Sequence, residues 1–213
     1  MYFYLKNQGF TWNKKRIYRV YCDMKLNLRK KPKKRLPSRS PTPLIQPIRA
    51  NICWSMDFMA DALISVKKFR TFNLIDDFNR EGLAIDAATS ITGKRVVDIL
   101  TRICGERGYP KMIRMDNGPE FRSISLVKWF EKNNVKLAYI EPGKPAQNAY
   151  IERFNRSFRE EVLDMYLFKN TKEVNWITEG WLQEYNYNRP HESLGGKTPV
   201  QFANSMEGNC LTA

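Results

Sequence analysis

Three acidic residues are spaced so that they could act together on a phosphate group. Asp57 interrupts the apolar run 52–59, where a carboxylate is costly unless it is paired or bound to a metal ion. Asp116 follows the apolar run 111–115 and precedes a strong turn signal. Glu152 comes after 35 intervening residues, just behind a loop rich in Gly and Pro. Carboxylate oxygens are the ligands that hard divalent cations prefer, so these residues predict a metal site.

Two-metal phosphoryl transfer is the chemistry that this set of carboxylates predicts. Two ions about 4 Å apart can activate an attacking oxygen and stabilise the leaving one, and the protein then needs no nucleophile of its own. Taken singly, each acid also has a structural interpretation: Asp57 as a solvent-facing strand residue, Asp116 as a turn cap, and Glu152 as a complement to the helix dipole. Their combination with the sequence blocks described below favours the metal site.

The elements that would position these acids follow from the hydrophobic periodicity of the chain. Strands are predicted over residues 52–63, 69–77, 83–88, 111–115 and 135–140, and helices over residues 93–108, 125–133 and 148–166. Three consecutive strands favour an antiparallel meander, whereas strands that follow helical crossovers favour parallel pairing. The prediction is therefore an α/β fold, with a mixed five-stranded sheet flanked by helices.

The positive charge of the chain is concentrated near its N-terminus. Of a net charge of +14, residues 1–50 carry +13 and residues 51–213 carry +1. Helical spacing over residues 14–28 is followed by a basic stretch and by a Pro-rich linker over residues 36–48. We expect a short basic helical segment with its linker over residues 1–48, a core with C-terminal helices over residues 49–204, and a tail over residues 205–213.

This concentration of charge predicts nucleic acid as the partner, because neutralising phosphates releases their condensed counterions. A solvated basic tail is the alternative interpretation. The basic stretch would contact phosphates without reading sequence, through Arg29, Lys30, Lys31, Lys33, Lys34 and Arg35.

Composition argues against several other classes of protein. No apolar run approaches the roughly 18 residues of a membrane span, and the first ten residues lack a secretory pattern. The four cysteines are scattered, with no pair at zinc-ligand spacing, and His191 is the only histidine. We therefore expect reduced cysteines in a cytoplasmic protein with no membrane partner.

Six ordered blocks of the sequence resemble one family. They are WSMDFM at 54–59 with Asp61, FRTFNLIDDFNRE at 69–81, IRMDNGPEF at 113–121, PGKPAQNAYIERFN at 142–155, YNRPHESL at 187–194 and TP at 198–199. Over roughly residues 12–203 the chain resembles the DDE insertion-sequence transposases of the large bacterial family whose enzyme is encoded in two overlapping reading frames. It looks like the product of the second frame.

The resemblance implies an RNase H-like catalytic core similar to that of retroviral integrase. It implies that Asp57, Asp116 and Glu152 are the catalytic residues and bind two Mg²⁺ ions, for which Mn²⁺ can substitute. Water would expose a 3′-hydroxyl at the element end, and that hydroxyl would attack target DNA. The implied partners are DNA, further copies of the chain on DNA, and the first-frame protein as a source of end recognition. The implied location is the bacterial cytoplasm, with the nucleoid.

The helix that carries Glu152 is expected to hold DNA beside the metal site. Residues at helical spacing share its face, namely Asn148, Asn155, Arg156 and Arg159. The hypothesis is that Arg156 and Arg159 contact phosphates and that Asn155 orients a backbone group or a metal-bound water. Lys144, in the preceding loop, is a further candidate for a DNA contact. The alternative is a solvated face with Arg–Glu pairs such as Arg156–Glu160.

Other marked residues have simpler interpretations. His191 is predicted to make a structural hydrogen bond or a DNA contact rather than to act as a general base. Trp129, Trp176 and Trp181 are predicted to be core residues. Two alternative functions remain compatible with the sequence: an RNase H-like nuclease that stops at cleavage, and a non-catalytic DNA-binding remnant that regulates intact copies.

Overall fold

Five strands form one mixed sheet in the computed structural model, which describes residues 1–27, 44–116, 123–141 and 145–210. The strands are β1 (Cys53–Ala62), β2 (Lys68–Asp76), β3 (Gly82–Ala88), β4 (Met112–Met115) and β5 (Lys136–Tyr139), and their order across the sheet is β3-β2-β1-β4-β5. β1, β2 and β3 pair antiparallel, whereas β4 pairs in parallel with both β1 and β5. The predicted sheet is confirmed, and each strand begins and ends within one residue of its predicted bounds.

Helices accompany the sheet on both of its faces. They are α1 (Tyr2–Asn7), α2 (Lys14–Asp23), α3 (Gly93–Arg107), α4 (Ile124–Lys132), α5 (Ala149–Phe158), α6 (Thr171–Gln183) and α7 (Pro199–Cys210). Thr92 caps α3 and Asn170 caps α6, each by accepting a hydrogen bond from the backbone N–H three residues on. α3 and α4 also begin and end within one residue of their predicted bounds.

Successive side chains of each strand point to opposite faces of the sheet, which gives the sheet one apolar face and one mixed face. The apolar face packs against α3 and α4, and its fully buried strand residues are Trp54, Met56, Phe72, Leu74, Ile113 and Met115. On the opposite face, Ser55 and Asp57 alternate with the apolar residues of β1, and Asn73 lies across from Asp57 on β2. Because α5 contacts β1 and β2 on this second face, the polar residues lie between the sheet and a helix.

The predicted helix over residues 148–166 is wrong as a single regular helix. A 3-10 turn (Pro145–Asn148) precedes α5, and a π-helical turn (Arg159–Leu163) follows it. The π turn inserts an extra residue, marked by the hydrogen bond from the Asp164 N–H to the Arg159 carbonyl oxygen at 2.8 Å. This extra residue lets the consecutive Val162 and Leu163 both pack into the buried cluster around Phe158.

Two asparagine side chains from the C-terminal helical region cover the free edge of β3. Asn175 exchanges two hydrogen bonds with the backbone of Ala87, at 2.7 and 3.0 Å, and Asn186 does the same with Gly82, at 2.9 and 2.8 Å. Each amide imitates the neighbour that an edge strand lacks. These contacts protect an edge that could otherwise pair with another chain.

The N-terminal segment differs in part from its prediction. α1 was not predicted, and α2 ends at Asp23 rather than near residue 28. The ring of Phe3 lies so close to Gly196 that a Cβ there would overlap it. The basic stretch 29–35 lies outside the described residues.

The C-terminal region ends in α7, which runs past residue 204 to Cys210. Trp129 is buried at 7% exposure and Trp181 packs partly buried against two core clusters, but Trp176 is 75% exposed, so its assignment to the core was wrong. Within the described parts of the chain, no helix combines the length and the apolar character needed to cross a bilayer.

Candidate active site

The parallel register between β1 and β4 brings two of the predicted acids together. Ser55 pairs with Arg114 across these strands. Asp57 and Asp116 each lie two residues further along the same two strands, so the register places them side by side. Asp57 is on the sheet face that α5 covers.

α5 brings the third acid to the same place. The side-chain amide of Asn155 donates a hydrogen bond to Asp57 Oδ2 at 2.7 Å and thereby ties α5 to β1. Glu152 lies three residues earlier on α5, about one helical turn away, and its side chain is exposed. The three acids therefore reach the site from β1, from the end of β4 and from α5.

The pKa of Asp57 depends on its burial and on the charges of the other two acids. Burial raises the pKa of Asp57 to about 6, and the negative charges of Asp116 and Glu152 act in the same direction, against hydrogen bonds from the Phe58 N–H and from Asn155. The three carboxylates are thus close enough to interact through their charges. Across the described ranges, no three carboxylate, imidazole or thiol groups form a ready-made metal site.

A chain of hydrogen bonds fixes the orientation of Asp57. Asn73 Nδ2 donates to Asn155 Oδ1 at 2.7 Å, Asn155 Nδ2 donates to Asp57 Oδ2, and the Phe58 N–H donates to Asp57 Oδ1 at 2.8 Å. Each carboxylate oxygen keeps a lone pair for a further ligand. The sequence prediction assigned Asn155 to a backbone group or a water and did not include Asn73. Asn73 lies opposite Asp57 through the register of β1 and β2, which the sequence pattern alone does not give.

A buried ion pair between Arg114 and Asp77 lies next to the acids; Arg114 is two residues before Asp116, and Asp77 directly follows β2. Arg114 Nη1 donates to Asp77 Oδ2 at 2.7 Å, and Ser55 Oγ donates to Asp77 Oδ1 at 2.6 Å. Asp77 is fully buried, and burial raises the pKa of its carboxyl while Ser55 and Arg114 oppose that effect. The pair links the end of β2 to β1 and β4, so it stabilises the register that brings Asp57 and Asp116 together. The sequence prediction missed this pair.

Comparison with known proteins decides the family. Models of the integrase core domain match residues 47–145 and residues 133–199. An uncharacterized protein of the insertion element IS407 from Burkholderia multivorans is 38% identical over 199 residues, which are 93% of this chain and 72% of the relative. The chain belongs to the insertion-sequence transposases with an integrase core domain. A protein of the insertion element IS476 from Xanthomonas euvesicatoria is 39% identical over 191 residues, and the match spans 90% of this chain but 55% of that relative.

Solved structures with the same fold include retroviral integrases. The catalytic core of BIV integrase superposes with a TM-score of 0.57 at 16% identity, over 76% of this chain and 99% of that one. The HTLV-2 integrase core in complex with magnesium gives a TM-score of 0.54 at 16% identity, over 73% of this chain and 97% of that one. The expected RNase H-like, integrase-like fold of this transposase-family chain is confirmed.

The predicted DNA-contacting residues of this family member fall into three groups. Arg156 is exposed, whereas Arg159 donates to the Ala60 carbonyl oxygen at 2.9 Å and to Asp61 at 3.3 Å, and so lies along β1 beyond Asp57. Asn148 and Asn155 are buried, at 5% and 8% exposure. The third group, Lys144 together with the basic stretch 29–35, lies outside the residues that the structure describes.

Proposed function

We propose that this chain is the catalytic part of an insertion-sequence transposase that cleaves DNA at an element end and joins the resulting 3′-hydroxyl to target DNA. The observation that carries the proposal is the pairing of β1 with β4 beside Asp57 and Asp116 in an integrase-like fold, together with the hydrogen bond to Asp57 from Asn155, which lies one turn after Glu152 on α5. Both steps are displacements at phosphorus, so one site can serve both. Family membership supports DNA as the substrate.

The three carboxylates fit divalent cations, and we propose that they bind two Mg²⁺ ions, with Mn²⁺ as a substitute. Their oxygens are the ligands that these ions prefer. Burial, and after it the charges of Asp116 and Glu152, raises the pKa of Asp57, and a bound dication would offset both effects. When bound, such ions supply Lewis-acid stabilisation of the attacking and leaving oxygens. The HTLV-2 integrase core, which has a similar fold, was solved with magnesium.

The chain itself positions the reacting groups. Asn155 and the Phe58 N–H hold the Asp57 carboxylate in one orientation before any substrate arrives, which removes a reorganisation step. Arg156 lies one turn after Glu152 on α5, and Arg159 follows in the π turn; we propose that they hold a DNA phosphate beside Glu152. The basic residues 29–35 and Lys144 would add further phosphate contacts.

The proposed partners follow from the reaction. Two element ends must be joined to one target, so we propose that the chain acts as a homo-oligomer on DNA; the HTLV-2 integrase core was solved in dimeric and trimeric forms. We also propose that the chain is a second-frame product, that the first-frame protein contributes recognition of the element ends, and that both act at the nucleoid in the cytoplasm.

The test is the reaction of the purified chain with a labelled branched DNA that mimics a strand-transfer product, because reaction of this substrate depends little on recognition of an element end. With Mg²⁺ or Mn²⁺ the wild type should reseal the strands, and Glu152→Gln should not. The matched control is Glu131→Gln, an exposed acid on α4 at the opposite face of the sheet, which should react like the wild type. Cleavage without joining would favour a nuclease. Binding without any reaction would favour a non-catalytic remnant.

A further inference from the structure

A second site candidate is a cavity of about 640 Å³ beside α5. Its α5 wall includes Tyr150 and Arg153, which lie on a different face of the helix from Glu152 and Asn155, because neighbouring residues are rotated by about 100°. The opposite wall comes from the segment that contains His191. A cavity of this volume can accept a small ligand or one unit of a polymer.

Positive charge dominates the walls of this cavity. Three of its lining residues are arginines, Arg80, Arg153 and Arg189, and one is an acid, Glu192. Arg189 is also paired with Glu161 at 2.5 Å, outside the lining residues. The lining residues alone therefore carry a formal charge of +2.

The three arginines differ in how firmly they are held. Arg80 is buried at 8% exposure, and its guanidinium lies 3.4 Å from the ring centroid of Tyr150. Arg189 is fixed by its ion pair with Glu161. Arg153 is exposed and makes no hydrogen bond or ion pair with any residue that the structure describes. The cavity thus has two fixed guanidinium groups and a third that is available to a ligand.

His191 lines the cavity, and its pKa depends on its burial and on the arginines around it. Its pKa is lowered to about 4, first by burial and then by the charges of Arg189, Arg153 and Arg80. Its ring lies edge-on to Tyr185 at 4.8 Å, and its Nε2 has no hydrogen-bond partner. After burial, the three arginines therefore all act on the imidazole in the same direction.

We propose that this cavity binds a phosphate group of DNA, and that it holds the backbone of a strand next to the one at the carboxylates. The inference rests on the proposed function and deepens it, because Arg153 directly follows Glu152 on α5. Guanidinium groups are suited to phosphate because their planar N–H groups match its oxygens in pairs. An acidic segment of a partner protein is the competing occupant, and the measurements below separate the two.

The first measurement is the affinity of a labelled DNA duplex across a series of salt concentrations, in EDTA so that no chemistry occurs. Arg153→Gln should weaken binding about tenfold and lower the slope of log affinity against log salt by about 0.9, the value for one phosphate contact. The matched control is Arg102→Gln, an exposed arginine on α3 at the other face of the sheet, which should leave the slope unchanged. Equal effects of the two variants would overturn the proposal.

The second measurement follows the imidazole of His191 by NMR, which is unambiguous because the chain contains one histidine. A bound phosphate adds negative charge beside the ring, so DNA should raise the pKa of His191 from its depressed value. Inorganic phosphate forms the second arm: a shift with DNA alone, or with both, supports a DNA phosphate, and a shift with inorganic phosphate alone overturns it. An unchanged pKa under both, with DNA bound, would favour the acidic protein segment. The resealing reaction and its Glu152→Gln variant are independent of this outcome.

Discussion

At the residue scale, Asp57 is where the contacts of the site meet. Asn155 and the Phe58 N–H fix its two oxygens, and Asp116 and Glu152 act on it through their charges. A carboxylate held in this way needs no rearrangement to receive a cation. Asn155 is therefore a positioning residue for Asp57. A positioning role can be distinguished experimentally from a purely structural one.

Asn155→Ala should lower the rate of strand joining about 10-fold to 100-fold, because Asp57 loses the group that orients it. The Mg²⁺ concentration that gives half the maximal rate should rise as well. The matched control is Asn175→Ala, which removes two hydrogen bonds to the backbone of Ala87 away from the acids. Measured below both unfolding temperatures, the control should keep the wild-type rate and metal requirement. Equal losses in the two variants would contradict a positioning role.

His191 should make the stability of the fold depend on pH. The pKa of His191 is about 4 in the folded chain, against an ordinary value of 6.5, so the unfolded state takes up the proton first as pH falls. Its contribution is fully present above pH 6.5 and is lost between pH 6.5 and 4. Urea unfolding of the wild type and of His191→Gln at both ends of this range should show a difference of about 2–3 kcal/mol in pH dependence. Parallel curves would show that the imidazole is not held neutral by the fold.

At the element scale, the strands could be predicted because apolar residues either alternate or run continuously along them. Both patterns can be read within the sequence of a single strand. The π turn after α5 could not be, since it depends on Val162 and Leu163 both meeting a core built from distant residues. Asp57, Asp116 and Glu152 were indicated only in combination with the six blocks that resemble the transposase family, because each acid alone also has a structural interpretation. Asn73 and the Asp77–Arg114 pair depend on strand register, which periodicity alone does not give.

The packing of β3 against α5 and α6 can be tested at two glycines. A Cβ at Gly82 would overlap Leu182 and lie within 2.8 Å of Phe154, so Gly82→Ala should destabilise the fold by about 1–3 kcal/mol. Gly105, on α3, has nothing within 4 Å of the same position, so Gly105→Ala should instead stabilise it by about 0.5–1 kcal/mol through helix propensity. Denaturant unfolding of both variants measures this contrast. A neutral Gly82→Ala would mean that the helices yield readily at this contact.

At the scale of the whole molecule, catalysis and charge are divided along the chain. The carboxylates lie in a core whose region, residues 51–213, carries +1, whereas residues 1–50 carry +13. The core alone would attract DNA only weakly over a distance. We therefore propose that the N-terminal segment attracts DNA non-specifically and that the arginines of α5 position it locally. The chain spans 55% of the length of the IS476 relative.

We propose that Asp57, Asp116 and Glu152 act as one metal-dependent site. The most direct measurement is the single-turnover rate of strand resealing in Mg²⁺ for Asp57→Asn, Asp116→Asn and Glu152→Gln, each against the wild type and Glu131→Gln. Loss of one charge should lower the rate by about 100-fold to 1,000-fold in each of the three variants, with DNA binding retained. Wild-type resealing by any one of the three would contradict the account.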